Sequence, residues 1–132
     1  MSIPTKIAIS IILLSQSYYL MAESFGKIYF TSRAYNLCSK NAMDSYSYLQ
    51  CLDAELKYQD RILNKNYKKT MKSIQEFRKN KLKRTQRAWI QYRDLKCSSY
   101  YHKESASGGL ADQSTCLIYE TIKRADELDN LY

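Results

Sequence analysis

The segment Gln86–Cys97 combines the chain's only tryptophan with an Arg-Asp pair and a cysteine. Trp89 can stack on a ligand, Arg93 can pair with a carboxylate, and Asp94 can carry a proton. Together with Asp60, Asp94 would supply the two carboxyl groups of a glycosidase. Such a pair needs one raised pKa and a cleft, which a slim helical domain does not readily provide. We therefore predict that the chain is not an enzyme.

The sequence lacks the residues that other catalytic and metal-binding chemistries require. His102 is the only histidine, so no Ser/His/Asp or Cys/His arrangement is available. The cysteine pairs Cys38/Cys51 and Cys97/Cys116 do not have the short spacing of zinc knuckles. No glycine-rich phosphate loop is present. We predict no catalytic residues, no metal and no cofactor.

The first 22 residues have the pattern of a secretory signal peptide. Lys6 precedes a largely apolar run, Ile7–Met21, and Ala22 is a small residue suited to signal-peptidase cleavage. The apolar run is too short and too interrupted by polar residues for a membrane span. We predict a mature chain of residues 23–132 that is periplasmic or secreted and does not span the membrane.

Export changes how the four cysteines are interpreted. An even number of cysteines in an exported domain predicts two disulfides, each worth about 2–4 kcal/mol. Three connectivities are possible. The pairing of nearest neighbours in sequence, Cys38 with Cys51 and Cys97 with Cys116, is preferred, although all three connectivities remain open.

The positions of these residues depend on long helices. Between Lys27 and Ser107 there is no glycine or proline, which favours uninterrupted helix. Apolar residues recur there at steps of three and four, as on one face of an amphipathic helix: Leu49, Leu52, Leu56, Leu63, Tyr67, Met71 and Ile74. The first helix is predicted over about 44–72.

The remaining elements complete an all-α domain. A Ser73–Glu76 capping box predicts that a second helix begins at Ser73 and spans about 73–100. A loop around Gly108-Gly109, where glycines can take positive φ angles, precedes a third helix over about 112–128. The short connections predict one antiparallel three-helix, up-down-up domain over residues 23–132, with the cysteines at one end.

The charge is concentrated in one stretch. The whole chain has a net charge of +8, and loss of Lys6 with the signal peptide leaves +7. Ten basic residues lie in the stretch 65–87 with a single acid, Glu76: Lys65, Lys68, Lys69, Lys72, Arg78, Lys79, Lys81, Lys83, Arg84 and Arg87. The helix arrangement predicts that this basic tip lies opposite the cysteines. It is either a solvated face or a surface for an anionic envelope component or acidic protein; export excludes nucleic acid as a partner.

Several polar residues fall on or beside the inward-facing positions of the helices. Asp60, Asn64, Gln86 and Arg93 would each lose about 1–3 kcal/mol if buried without a partner. We predict that they satisfy one another, with Arg93 paired to Asp60 or another acid. The alternative is a ligand-facing groove lined by Trp89, Arg93 and Asn64. Together with Trp89 and Asp94, the four polar residues make six candidates for a polar network or groove.

Ordered motifs across residues 38–128 are similar to those of the LprI-type lysozyme-inhibitor family: Asp60-x-x-Leu63-Asn64-x-x-Tyr67, Gln86-x-x-Trp89-x-x-x-Arg93-Asp94-x-x-Cys97, Gly108-Gly109, and Cys116-x-x-x-x-Thr121-x-x-Arg124-x-x-x-Leu128. The resemblance implies an exported bacterial helical domain that inhibits lysozyme.

Two functions follow from these expectations. The first is an exported, protein-binding inhibitor of lysozyme or another peptidoglycan hydrolase. Many lysozymes are cationic, so a basic inhibitor would dock through the cysteine end, where these acids can cluster: Asp44, Asp53, Glu104 and Asp112. The alternative is an envelope-binding or immunity-type module whose basic tip holds an anionic lipid, a wall polymer or an acidic toxin. We predict the inhibitor.

Overall fold

The computed structural model describes residues 31–131, which form an all-α fold. The predicted signal peptide and the first residues of the mature chain lie outside this range. The described residues form four α-helices and one 3-10 turn: α1 (Arg33–Asn41), α2 (Ser45–Ser73), α3 (Glu76–Ser98), the 3-10 turn (Lys103–Ser105) and α4 (Ala106–Asp129). The prediction of an all-α fold is confirmed. The predicted number of helices is one too low, because no helix was predicted over the range of α1.

The first two helices begin with side-chain caps. The Ser32 hydroxyl accepts a hydrogen bond from the Tyr35 amide at 3.0 Å, which caps α1. At the start of α2, Asp44 accepts from the Ser47 amide at 2.7 Å, and the Ser47 hydroxyl accepts from the Asp44 amide at 3.2 Å. This reciprocal pair is a capping box built with serine at the position usually held by glutamate.

The prediction of a second capping box, at Ser73–Glu76, is wrong. Ser73 ends α2, and its hydroxyl donates to the Thr70 carbonyl at 3.0 Å. Gln75, not Ser73, precedes the first residue of α3 and makes no side-chain cap. The break arises from Ile74, which leaves the helix in an extended conformation and is buried in the core.

The core lies where α2, α3 and α4 meet. It is formed by five buried residues: Leu63, Ile74, Leu82, Ala125 and Leu128. The most extensive contact between two helices is that of α4 with α2. There the Thr70 hydroxyl donates to the Leu128 carbonyl at 2.7 Å, and the Asn66 amide donates to the Ala125 carbonyl at 2.9 Å. Polar side chains of α2 thus satisfy backbone groups of α4 beside the apolar core.

A buried carboxylate fixes α1 to α2. Glu55 is only 2% exposed. It accepts hydrogen bonds from the Ser32 amide at 2.8 Å, from the Ser32 hydroxyl, and from the Gln59 side chain at 2.7 Å. A buried carboxylate is stable only when its oxygens are satisfied in this way. Since α1 has no buried residue of its own, it is held by these bonds, by one disulfide and by a 3.2 Å hydrogen bond between the hydroxyls of Tyr35 and Tyr48.

The predicted Gly108-Gly109 loop is also wrong, because both glycines lie inside α4. Neither has a positive φ; the residue that does is Ala106, at 45°. Gly109 serves a different purpose. A Cβ atom there would lie 3.0 Å from the His102 amide nitrogen and 3.1 Å from its carbonyl oxygen. Only glycine lets the segment before α4 approach the helix this closely.

The two glycines form a matched pair for a stability test. Gly108→Ala meets nothing within 4 Å and should stabilise the protein by about 0.5–1 kcal/mol through helix propensity. Gly109→Ala gains the same propensity but must displace backbone, so we expect it to be less stable than Gly108→Ala by about 1–2 kcal/mol. Denaturant unfolding of both variants measures this difference. Equal stabilities would show that the close approach is easily relieved.

Candidate functional site

Both predicted disulfides are present. Cys38 is bonded to Cys51 with their Cα atoms 5.7 Å apart, and Cys97 to Cys116 with theirs 5.4 Å apart. The preferred connectivity is therefore confirmed. The described part of the chain has no free cysteine, so these residues link helices: the first disulfide joins α1 to α2, and the second joins α3 to α4.

A groove of about 500 Å³ runs between α2 and α3. Its lining includes five of the six residues predicted for a polar network or groove; the sixth, Asp94, lies beside it. The complete lining is Asp60, Leu63, Asn64, Tyr67, Lys83, Gln86, Arg87, Trp89, Ile90 and Arg93. The fold thus brings two residues of the basic stretch, Lys83 and Arg87, to the same groove as the polar residues.

Arg93 is the most constrained cation of the groove. Its guanidinium lies 3.6 Å from the Asp60 carboxylate and 2.8 Å from that of Asp94. It also donates to the Thr121 hydroxyl of α4 at 3.3 Å. Its side chain is only 15% exposed. Arg93 therefore ties α2, α3 and α4 together and has little freedom to bind a ligand.

Gln86 and Asn64 do not join Arg93 in one network. The Gln86 side chain accepts from the Arg124 guanidinium at 3.0 Å. The Asn64 amide donates to the Asp60 carbonyl of its own helix at 2.8 Å. Among these four residues in the described part of the chain, the predicted pairing of side chain with side chain is thus made only between Asp60 and Arg93. Asn64 is exposed and free to contact a ligand through its carbonyl oxygen.

Trp89 lies close to two guanidinium groups. The Cζ atom of Arg93 is 5.1 Å from the centre of the indole ring, and that of Arg124 is 5.9 Å away. Both distances fall within the range of cation–π attraction. The ring also packs against the buried core. Trp89 is therefore engaged by the protein itself, and the open apolar surface of the groove comes from its neighbours.

Arg124 was part of the α4 motif but had no predicted role. It is 7% exposed; Nε donates to Gln86, and Nη1 donates to Glu127 at 2.9 Å. Its Nη2 is buried and has no hydrogen-bond partner among residues 31–131. The sequence signal was its position on the same face of α4 as Thr121 and Leu128, which are both buried.

The basic stretch covers the carboxyl-terminal part of α2 and the amino-terminal half of α3. Lys69 pairs with Asp129 at 2.9 Å and Lys79 with Glu76 at 2.7 Å. Seven other members form no ion pair within residues 31–131: Lys65, Lys68, Lys72, Lys81, Lys83, Arg84 and Arg87. A shallow depression along α2 is lined by Arg61, Asn64, Lys65, Lys68, Lys69 and Lys72. It shares Asn64 with the groove, so the two surfaces are continuous.

The end of the molecule near Cys97–Cys116 has a different character. Tyr100 and Tyr119 are exposed there and line a depression with Asp112 and Glu120. Burial raises the pKa of Glu120, but a 2.8 Å hydrogen bond and the charge of Lys96, helped by Lys123, outweigh burial and hold this pKa below its usual value. The carboxylate is therefore charged at neutral pH.

The four acids predicted to cluster at this end are spread over different elements. Asp44 caps α2, where hydrogen bonds from the Ser47 amide and hydroxyl lower its pKa. Asp53 pairs with Lys57 at 2.6 Å. Glu104 lies in the 3-10 turn and Asp112 in α4.

Within residues 31–131, no three His, Cys, Asp or Glu side chains are placed to hold a metal ion. In the same range, no helix is both long and apolar enough to cross a membrane.

These features define a small, disulfide-linked helical domain with a groove between two helices. The family model described as "Lysozyme inhibitor LprI" matches residues 38–128. The chain therefore belongs to the LprI family, which confirms the resemblance. The match covers both disulfides and the entire groove. No curated protein and no solved structure matches the chain.

Proposed function

We propose that this protein is an exported inhibitor of lysozyme or another peptidoglycan hydrolase. The observation that supports this proposal is the family match over residues 38–128. An inhibitor needs a stable surface and no catalytic group of its own. Two disulfides and the ion pairs of the half-buried Arg93 fit that requirement, and export would supply the oxidising compartment in which the disulfides form.

The end near Cys97–Cys116 is the proposed contact face for the hydrolase. A cationic hydrolase would be repelled by the basic stretch at long range. The disulfide end instead offers two exposed tyrosines, Tyr100 and Tyr119, beside the carboxylates of Asp112 and Glu120. Tyrosine is enriched in protein interfaces because it supplies contact area together with a polar group.

A hydrolase inhibition assay with two sets of variants tests this proposal. Tyr100→Ala combined with Asp112→Lys should weaken inhibition of a susceptible cell-wall hydrolase by about tenfold or more, since interface aromatics contribute strongly. Lys68→Glu combined with Lys83→Glu should not weaken it, because these residues lie on the groove side. Absence of inhibition of every cell-wall hydrolase tested with the oxidised wild type would refute the proposed function.

Export is the second part of the proposal. Cleavage after Ala22 would produce a chain that begins at Glu23. Mass spectrometry of the protein recovered from the periplasm or medium of a bacterial host checks the new amino terminus. Retention of the intact chain in the cytoplasm would contradict export and, with it, the expected disulfide formation.

A second candidate function is an envelope-binding or immunity-type module. The observation that favours it is the group of cations without ion pairs along α2 and α3. Binding through such exposed charges falls steeply with salt concentration. Salt-sensitive sedimentation with anionic lipid vesicles or wall polymer would support this candidate, whereas salt-resistant association with a hydrolase would support the inhibitor.

A further inference from the structure

We propose that the groove between α2 and α3 binds an acidic, amphipathic helix of a partner protein. This is a second binding function, which is independent of hydrolase inhibition and uses a groove that shares no lining residue with the depression near Cys97–Cys116. It narrows the partner of the basic stretch from any polyanion to a helical protein segment.

The floor of the groove supplies an apolar contact. Leu63 is buried and Tyr67 half-buried, while Ile90 leaves 39% of its surface exposed. Trp89 also lines the groove, and the guanidinium groups of Arg93 and Arg124 lie 5.1 and 5.9 Å from its ring centre. An amphipathic helix buries an apolar face in grooves of this kind through residues spaced three and four apart.

The rims supply the charge. Lys83 and Arg87 lie one helical turn apart on α3, and Lys65 and Lys68 lie on α2 beyond Asn64. None of these four side chains forms an ion pair within residues 31–131. Lys65 and Lys83 lie near Asp129 and Glu76, but those carboxylates are already paired with Lys69 and Lys79. Carboxylates on both flanks of a bound helix could therefore pair with the four cations without breaking an existing ion pair, so little of the attraction would be lost to rearrangement.

The shape and the polarity of the groove favour a helix over a membrane or a simple polyanion. A bilayer is flat and would leave the concave floor unfilled, and a polyanion would leave the apolar floor without contacts.

Asp60 lies with Arg93 at one end of the groove, 3.6 Å apart, whereas Lys83 and Tyr67 lie toward the other. The excess positive charge at the Lys83 end would favour a bound helix whose acidic residues are concentrated toward that end.

A labelled synthetic peptide serves as the probe. It is a helix of about 15 residues, four turns, which is enough to span the groove at 1.5 Å per residue, with Leu on one face and Glu on both flanks. Fluorescence anisotropy is measured with the full-length oxidised protein at low and high salt. We expect binding that is weakened, but not abolished, by salt. Lys83→Glu with Arg87→Glu should reduce affinity by about tenfold or more.

The matched control reverses two charges elsewhere. Lys40 and Lys103 are exposed and form no ion pair among the described residues, so Lys40→Glu with Lys103→Glu changes the net charge equally. This control should reduce affinity less than about threefold. Ile90→Ser, which leaves every charge in place, should also weaken binding severalfold.

Three outcomes would overturn the proposal. The peptide could fail to bind, both charge reversals could weaken it equally, or a peptide with Ser in place of every Leu could bind as tightly. Equal binding of anionic phosphatidylglycerol vesicles, unaffected by Ile90→Ser, would assign the basic stretch to a membrane instead. Hydrolase inhibition is measured on the same variants, and its loss or retention leaves the groove proposal unaffected.

Discussion

Replacing Cys97 and Cys116 by alanine is expected to lower the free energy of unfolding by about 3 kcal/mol. The disulfide closes a loop with a sequence separation of 19 residues, for which loop-closure entropy alone gives about this value. Cys97 is completely buried, so the substitution also removes packed sulfur atoms. The variant should therefore unfold at a clearly lower denaturant concentration than the oxidised wild type.

The other disulfide provides the control. Cys38→Ala with Cys51→Ala opens a loop with a separation of 13 residues, and the loop model again gives about 3 kcal/mol. Its local effect should differ, because α1 buries none of its residues. Hydrogen exchange should show fast exchange confined to α1 in this variant, and loosening of α3 against α4 in the other. Identical exchange patterns would show that the disulfides do not act on separate helix pairs.

The long helices were predictable because the apolar residues of α2 follow one face over many turns. Leu52 and Leu63 of that face are buried as expected. The end of α2 was also predicted closely, since the first helix was expected to end at about residue 72 and α2 ends at Ser73. The cause of the break was not. Burial of Ile74 depends on α3 and α4 folding back over it, which local sequence does not encode.

The loop predicted at Gly108-Gly109 is wrong for a related reason. A Gly108-Gly109 pair is typical of turns, and helix propensity argues against glycine within a helix. The close approach of His102 to Gly109 is a tertiary contact that outweighs both tendencies. The start of α2 shows the same limit, since the capping box uses Ser47 where the usual pattern has glutamate.

The sequence indicated which residues lie around the groove, but not which side chains pair with one another. Asp60 and Arg93 were expected to pair, and they lie 3.6 Å apart. Gln86 was expected to join them and instead accepts from Arg124. Helical periodicity places a residue on a face, but the choice of partner depends on the rotation of α4 about its axis, which the spacing leaves undetermined.

Trp89→Ala is expected to lower the free energy of unfolding by about 3 kcal/mol, the lower end of the range for tryptophan in a core, because the ring is only half-buried. The substitution removes packing against the core and the ring that both Arg93 and Arg124 approach. Each cation–π contact can contribute about 0.5–2 kcal/mol. Denaturant unfolding measures the loss directly.

Phe77→Ala is the matched aromatic control on the same helix. Phe77 is 68% exposed and approaches a single guanidinium, that of Arg78, at 5.6 Å. Its replacement should change stability by less than about 0.5 kcal/mol. If Trp89→Ala instead kept wild-type stability and lost binding of the acidic peptide or the hydrolase, the indole would be a ligand contact. Trp89 would then line the groove for a partner, and the two arginines would not depend on it for the fold.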